Sequence, residues 1–219
     1  MVDFGVGFYK LTSHDKFIMM LEFWNERYAS EEYVYGKEPN IFFKSWVDRM
    51  PPGRILLPGE GEGRNAAYAA GRHWDVLAFD QSSKAREKAL RLANEHGVNI
   101  DYRLGSVFDI QLNNSMFDMI ALVFFHLHSG MRKKYHEYLL SHLKPGGIIV
   151  VESFAKEQLN RDSGGPRDPD LLYALDELYD DFNGMEVLFS AQDDVMLREG
   201  RFHQGMAQLV RFVGKKSMV

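Results

Sequence analysis

The chain has 219 residues, 45% of them apolar and 13% aromatic, enough for one sizeable core. A net charge of −5 argues against the basic stripe of a nucleic-acid surface, and the absence of cysteine excludes disulfides, thiolate nucleophiles and zinc knuckles. No apolar run approaches the roughly 18 residues of a membrane span, and Lys10, Asp15 and Lys16 interrupt any leader-like core, so a cytoplasmic location without membrane or nucleic-acid partners is expected.

Residues 1–13 are read as an ill-ordered extension with no assigned role, and 14–219 as one domain whose segment 14–50 forms an N-terminal helical lid. Residues 15–29 have helical apolar spacing, and 30–40, "SEEYVYGKEPN", form a polar, tyrosine-rich loop. Pro39 and Asn40 lead into a short amphipathic helix that Pro51-Pro52-Gly53 ends. The rhythm then changes. "RILLP" (54–58) reads as a strand, 64–73 as a helix, "WDVLAFD" (74–80) as a strand, and 82–97 as a helix capped by Ser82 or Ser83. Strands are expected over 99–105 and 117–125, a helix and its stop over 130–147, a strand over 148–154 and a helix over 169–182. Residues 185–194 and 206–216 close the chain as two strands joined without a helix. Alternation of strands and helices predicts an α/β fold, a doubly wound and mostly parallel sheet with helices on both faces. The closing pair predicts an antiparallel end. Ligands in such folds sit at the carboxyl ends of the strands.

The turn after the first of these strands, "PGEGEGRNA", resembles a phosphate cradle but departs from one. A dinucleotide fingerprint needs a glycine where Arg64 stands, and a P-loop needs a Gly-Lys-Ser/Thr ending that is absent. Two carboxylates, Glu60 and Glu62, would repel a pyrophosphate. A cationic ligand without phosphate suits them better, and S-adenosylmethionine is one. Gly59, Gly61 and Gly63 let the backbone approach it closely. Glu60 is expected near its ammonium group, with Glu62 capping the following helix. Asp80, 17 residues past Gly63 at the end of the second strand, can accept from both ribose hydroxyls. The turn "LGSVFD" after the third strand offers Ser106 and the Val107 backbone to an adenine.

These segments, with "FWNERYASEEYVYGKEPN", "FFHLHSGMRKKYH", "LKPGGIIVVESF", "GGPRDPDLL" and "EGRFHQGMAQLVRFVGKK", carry a resemblance. Over roughly residues 22–215 the chain resembles the class I S-adenosylmethionine-dependent methyltransferases, and within them the small bacterial enzymes related to tellurite and thiopurine methyltransferases. The resemblance implies a Rossmann-like, seven-stranded sheet with an antiparallel last strand. It also implies methyl transfer to a small molecule, with a chalcogen oxyanion (tellurite or selenite) or a thiol as acceptor. Leu57 and Ser106 depart from it, since many members carry acidic residues at these positions. The expected cofactor shell is Tyr28, Tyr35, Gly36, Gly59, Glu60, Gly61, Gly63, Arg64, Asp80, Gln81, Ser106, Val107, Phe108 and Val123. His126, after the fourth strand, and Arg201 and His203, before the last, are the expected catalytic residues. His128, Arg161 and Arg167 are weaker candidates that a solvated surface explains equally well. No metal is expected. The competing readings are a cofactor-binding sensor without catalysis and, less favoured, a nicotinamide-dependent oxidoreductase or a nucleic-acid methyltransferase.

Overall fold

The computed structural model describes residues 13–107 and 109–218, with side chains from Ile18 onward. The expected extension lies outside these residues apart from Ser13, and so does Phe108.

Two helices come first, α1 (Ser13–Arg27) and α2 (Ile41–Val47), separated by the tyrosine-rich loop. Asn40 caps α2, its Oδ1 accepting from the Phe43 N–H at 2.9 Å. There follow β1 (Arg54–Pro58), α3 (Arg64–Gly71), β2 (Asp75–Asp80), α4 (Ser83–Glu95) and β3 (Asp101–Leu104). Then come β4 (Phe117–Val123), α5 (Ser129–Ser141), β5 (Leu143–Phe154), α6 (Leu175–Asp181), β6 (Glu186–Glu199) and β7 (His203–Lys215).

The seven strands form one sheet in the order β3-β2-β1-β4-β5-β7-β6. Six run parallel, and β7 runs against both neighbours. Strand alternation sends Ile55, Leu57, Val76 and Ala78 to one face, where they pack with Phe43 and Trp46 of α2 and Ala66 and Ala69 of α3. It sends Leu56, Leu77, Ile120 and Val151 to the other, against Tyr135 and Leu139 of α5 and Leu178 of α6. The doubly wound fold expected from the sequence is present.

Three boundaries differ from expectation. The helix whose stop is expected by Gly147 already ends at Ser141, because Leu143 pairs with Phe117 and Gly146, at φ +75°, turns the strand. The helix expected over 169–182 breaks into a single 3-10 turn (Pro169–Leu171) and α6. Between them Leu172 and Tyr173 are fully buried, and the Tyr173 N–H donates to Phe154 O at 3.0 Å. Backbone pairing to β5 and burial override helical propensity there. The closing strands are also longer than expected. Phe154 at the end of β5 pairs with Leu209, so the start of β7 and the facing end of β6 stand beyond the carboxyl edge of the parallel strands. This hairpin tip reaches over the place where ligands bind in such sheets.

Candidate functional site

The β1–α3 turn is a run of left-handed glycines. Gly59, Gly61 and Gly63 have φ of +61°, +64° and +85°, which residues with a Cβ adopt only at a cost. A Cβ on Gly63 would stand 2.7 Å from the Ala89 Cα, so this glycine serves the contact between α3 and α4. The other two have side chains laid over them. A Cβ on Gly59 would collide with the Phe125 ring, and one on Gly61 would stand 2.8 Å from the Tyr28 hydroxyl. Phe125 and Tyr28 thus cover the bare side of the turn.

Asp80 meets the same turn. Its Oδ2 accepts from the Gly61 N–H at 3.1 Å and its Oδ1 from the Ser82 N–H at 2.9 Å. Each oxygen keeps a lone pair for a further donor. Burial pushes this carboxyl up to about 6, against the lowering effect of the N–H groups of Ser82, Gly61 and Gln81. The Gly105 N–H donates to Asp80 O at 2.9 Å, which brings the β3 turn alongside. In that turn the Ser106 hydroxyl and N–H donate to Asp109 Oδ2 at 2.6 and 3.1 Å. Val107 packs on the α5 face of the core, and Val123 closes β4.

The capping role expected of Glu62 falls to Glu60. Glu62 does not cap α3. It is 3% exposed, its Oε1 lies 2.7 Å from Lys88 Nζ, and it accepts from the Val34 and Tyr35 N–H groups at 3.1 and 3.2 Å. Glu60 is the cap instead, its Oε1 accepting from the Asn65 and Ala66 N–H groups at 2.8 Å each. The reason is local: the N-cap residue is Gly63, which has no side chain to offer. Burial raises the Glu60 carboxyl to about 7, with the Ala66 N–H, Arg64 and Asn65 opposing.

The Arg64 guanidinium is held by protein partners. It lies 2.8 Å from Glu199 Oε2 and donates to Tyr35 O at 3.3 Å. Through these contacts the tyrosine-rich loop is bound to the hairpin tip. At the tip Gly200 presses on the backbone of residues 34–36, with room for no Cβ, and the Arg201 N–H donates to Val34 O at 2.8 Å. Within the loop Tyr28 stacks on Trp24 at 5.5 Å, and Gly36 has φ +77°. The Tyr35 ring lies 4.6 Å from that of His203.

The structure brings His126 and His203 together against one ring. Both imidazoles pack on Phe154, at 5.8 and 5.2 Å between centroids. His203 is 6% exposed and also meets Phe124 at 4.4 Å. Phe124 is itself left-handed, at φ +51°. Burial lowers the His203 imidazole, although the hydrogen bond and charge of Glu199 raise it. Burial brings His126 down to about 4 against the raising effect of its bond to Leu171 O. Arg201 is exposed, its guanidinium 5.2 Å over the Phe202 ring. His128 caps α5 at the surface beside Asp170. Arg161 pairs with Asp194 and Arg167 with Asp162, as a surface reading requires.

Sequence reasoning missed Glu199, Asn40, Glu152 and Lys88. Asn40 Nδ2 donates to Glu152 Oε1 at 2.5 Å and to Glu199 Oε1 at 3.0 Å, while Arg211 holds the other Glu152 oxygen at 2.5 Å. Burial pushes the Glu199 carboxyl up, but His203 and Arg64 outweigh it and bring it down to about 2. The one signal available was the adjacency of Glu199, Arg201 and His203 in "EGRFH".

S-adenosylmethionine fits these residues. The turn is free of Cβ atoms on the side facing Tyr28 and Phe125, Asp80 has lone pairs for two hydroxyls, and the surrounding carboxylates suit a cation without phosphate.

Residues 55–147 match the family model of the methyltransferase domain. The glycine/sarcosine/dimethylglycine N-methyltransferase of Actinopolyspora halophila is 29% identical over 124 residues, 55% of this chain and 22% of its own. The chain therefore spans about a fifth of that relative's length. Among solved structures, one described under the conversion of a disulfide bond into a thioacetal group during echinomycin biosynthesis is similar at a TM-score of 0.74. It is 16% identical, with 91% of this chain and 92% of that one covered. TehB from Haemophilus influenzae is similar at a TM-score of 0.67 and 16% identity, with 90% and 67% covered. Solved S-adenosylmethionine-dependent methyltransferases share the fold as well. Over residues 55–147 the expected enzyme class and its cofactor, S-adenosylmethionine, stand.

Proposed function

We propose that the whole protein is an S-adenosylmethionine-dependent methyltransferase acting on a small-molecule acceptor, akin to the TehB-like, tellurite- and thiopurine-related group. The observation that carries this reading is the convergence of Gly61 and Asp80: the glycine turn and the acid ending β2 meet at 3.1 Å on the carboxyl edge of the sheet. S-adenosylmethionine supplies an electrophilic methyl carbon on a sulfonium. The chain's own groups bind and align. Gly59 and Gly61 give a bare backbone, Asp80 accepts from ribose hydroxyls, and the β3 turn at Ser106 and Val107 flanks the base. Tyr28, Tyr35 and Phe125 present π faces, which favour a cation, and exclude water. His126 and His203 stand at the acceptor side, where the small-molecule acceptor would meet them.

No helix among the described residues is long and apolar enough to cross a membrane. Calorimetry with S-adenosylhomocysteine tests the cofactor. Micromolar binding that Asp80→Ala weakens by about ten- to a hundredfold is expected, the loss of a charge-assisted hydrogen bond. Turnover with a panel of acceptors separates the enzyme from a sensor, which would bind without transferring.

A further inference from the structure

The hydrogen bonds made by the two buried imidazoles fix which ring nitrogen carries the proton. His126 Nδ1 lies 2.8 Å from Leu171 O, a carbonyl that can only accept, so Nδ1 is the donor and Nε2 holds the lone pair. That Nε2 is buried and has no hydrogen-bond partner among the described residues. His203 Nδ1 lies 3.4 Å from Glu199 Oε2, whose carboxylate also can only accept, so in the neutral ring its Nε2 again holds the lone pair. Glu199 itself cannot swing away, because Arg64 and Asn40 hold its two oxygens. The charged and titratable groups acting on His203 are Glu199, Arg64 and Arg27, and those acting on His126 are His203 and Arg132. Burial keeps both rings neutral at pH 7. Around them are apolar rings: Tyr35, Phe124 and Phe154 for His203, Phe154 and Tyr173 for His126.

Two neutral acceptor nitrogens in an aromatic setting offer no donor to the charged oxygens of an oxyanion, even one that keeps a proton, and leave its charge uncompensated. They can hold a group that brings its own hydrogen. We propose that the methyl acceptor is a neutral nucleophile still carrying its proton, a thiol or hydroxyl on an apolar body, bound through Nε2 of His126 and Nε2 of His203. The inference rests on the methyltransferase reading above and narrows its acceptor away from tellurite and selenite. His126 accepts a hydrogen bond and orients the nucleophile. His203, with the Glu199 carboxylate behind it, takes the proton. As the nucleophile's sulfur or oxygen bonds to the methyl carbon, its proton passes to His203 Nε2. The carbon–sulfur pair stays on the departing sulfur, which becomes neutral, and the imidazolium later releases the proton to water. Glu199 acts through His203 and is a positioning residue.

The test begins without turnover. Imidazole nitrogen spectra of the 15N-labelled full chain at pH 7 should show both rings protonated at Nδ1 and bare at Nε2. Phenylmethanethiol, which keeps its proton at pH 7, added with S-adenosylhomocysteine, should shift both Nε2 signals, and selenite should not. His126→Asn keeps the donor to Leu171 O but removes Nε2, and should lower kcat on a thiol or hydroxyl acceptor by about a hundredfold with cofactor affinity unchanged. Glu199→Gln should alter the pH profile of kcat more than the KM. Either ring protonated at Nε2, or a protein that methylates selenite and no thiol or hydroxyl compound, overturns the proposal. Failure to bind S-adenosylhomocysteine at all would instead remove the methyltransferase reading, and the tautomers would remain readable.

Discussion

The hydroxyl of Tyr28 stands 2.8 Å from the point where a Cβ on Gly61 would be. The tyrosine and the missing side chain therefore compete for one volume, at a residue whose φ of +64° already disfavours any Cβ. Gly61→Val should add about 1–2 kcal/mol of backbone strain and block the turn from above. Binding of S-adenosylhomocysteine should be lost in calorimetry while far-UV circular dichroism stays native. Normal affinity in this variant would mean that the turn faces away from the ligand.

A pH dependence follows from Asp80. Its carboxyl sits at about 6, above the unfolded value of about 3.9. The group's contribution to folding is fully present below pH 4 and is lost as pH rises through 6. Cofactor binding runs the other way, because ribose hydroxyls need the ionised carboxylate. Affinity for S-adenosylhomocysteine should fall as pH drops from 7 to 5, and Asp80→Asn should flatten that profile as well as weaken binding. A wild-type affinity that stays constant over the range would remove Asp80 from the ribose contact.

Arg64 and Glu199 form a buried pair, with side chains 8% and 10% exposed. Arg64→Met leaves the carboxylate without its guanidinium and should cost about 3–5 kcal/mol, read as a lower urea midpoint. The depressed carboxyl contributes stability that is present above its unfolded value and is lost as pH falls through about 2. In Arg64→Met the acid loss should begin at a higher pH than in the wild type. An unchanged midpoint at neutral pH would show the pair to be dispensable for the fold.

Glu62 and Lys88 are more deeply buried still, at 2% and 6% side-chain exposure. Glu62→Gln keeps an acceptor for the loop N–H groups but leaves Lys88 charged and unpaired, a loss of about 3–5 kcal/mol. Adding Lys88→Met to that variant should restore part of the stability, since no buried charge then remains. If the double variant is less stable than Glu62→Gln alone, the ion pair is not the main source of the loss.

Much of the fold was legible because the signals were local. Arg54–Pro58 is an apolar run between turn residues and forms β1 with the expected limits. Ser82 caps α4 by accepting from the Ala85 N–H. What was not legible depended on partners far along the chain. Nothing near Leu172 and Tyr173 says that β5 will draw them out of a helix. The capping role of Glu60 in place of Glu62 turns on Lys88, and the importance of Glu199 turns on Arg64 and Asn40. Their sequence separations of 26, 135 and 159 residues put such pairs beyond any periodicity. At the site, the glycine turn and Asp80 could be read from spacing, whereas the tautomers of His126 and His203 required their hydrogen-bond partners.

The clasp between residues 34–36 and the hairpin tip at Gly200 also sets an order of events during synthesis. The loop that shields the glycine turn has its nearest support, Glu62 and Lys88, in the first half of the chain, and its last, Glu199 to Arg201, close to the end. Contacts of such long sequence separation form late, because loop-closure entropy must be met first. A nascent chain can assemble β1 to β5 and the bare turn before the clasp exists. The shield over that turn reaches its native contacts only once β6 and β7 have been made and closed into their hairpin, so a chain stopped short of Gly200 would have a cradle with no cover.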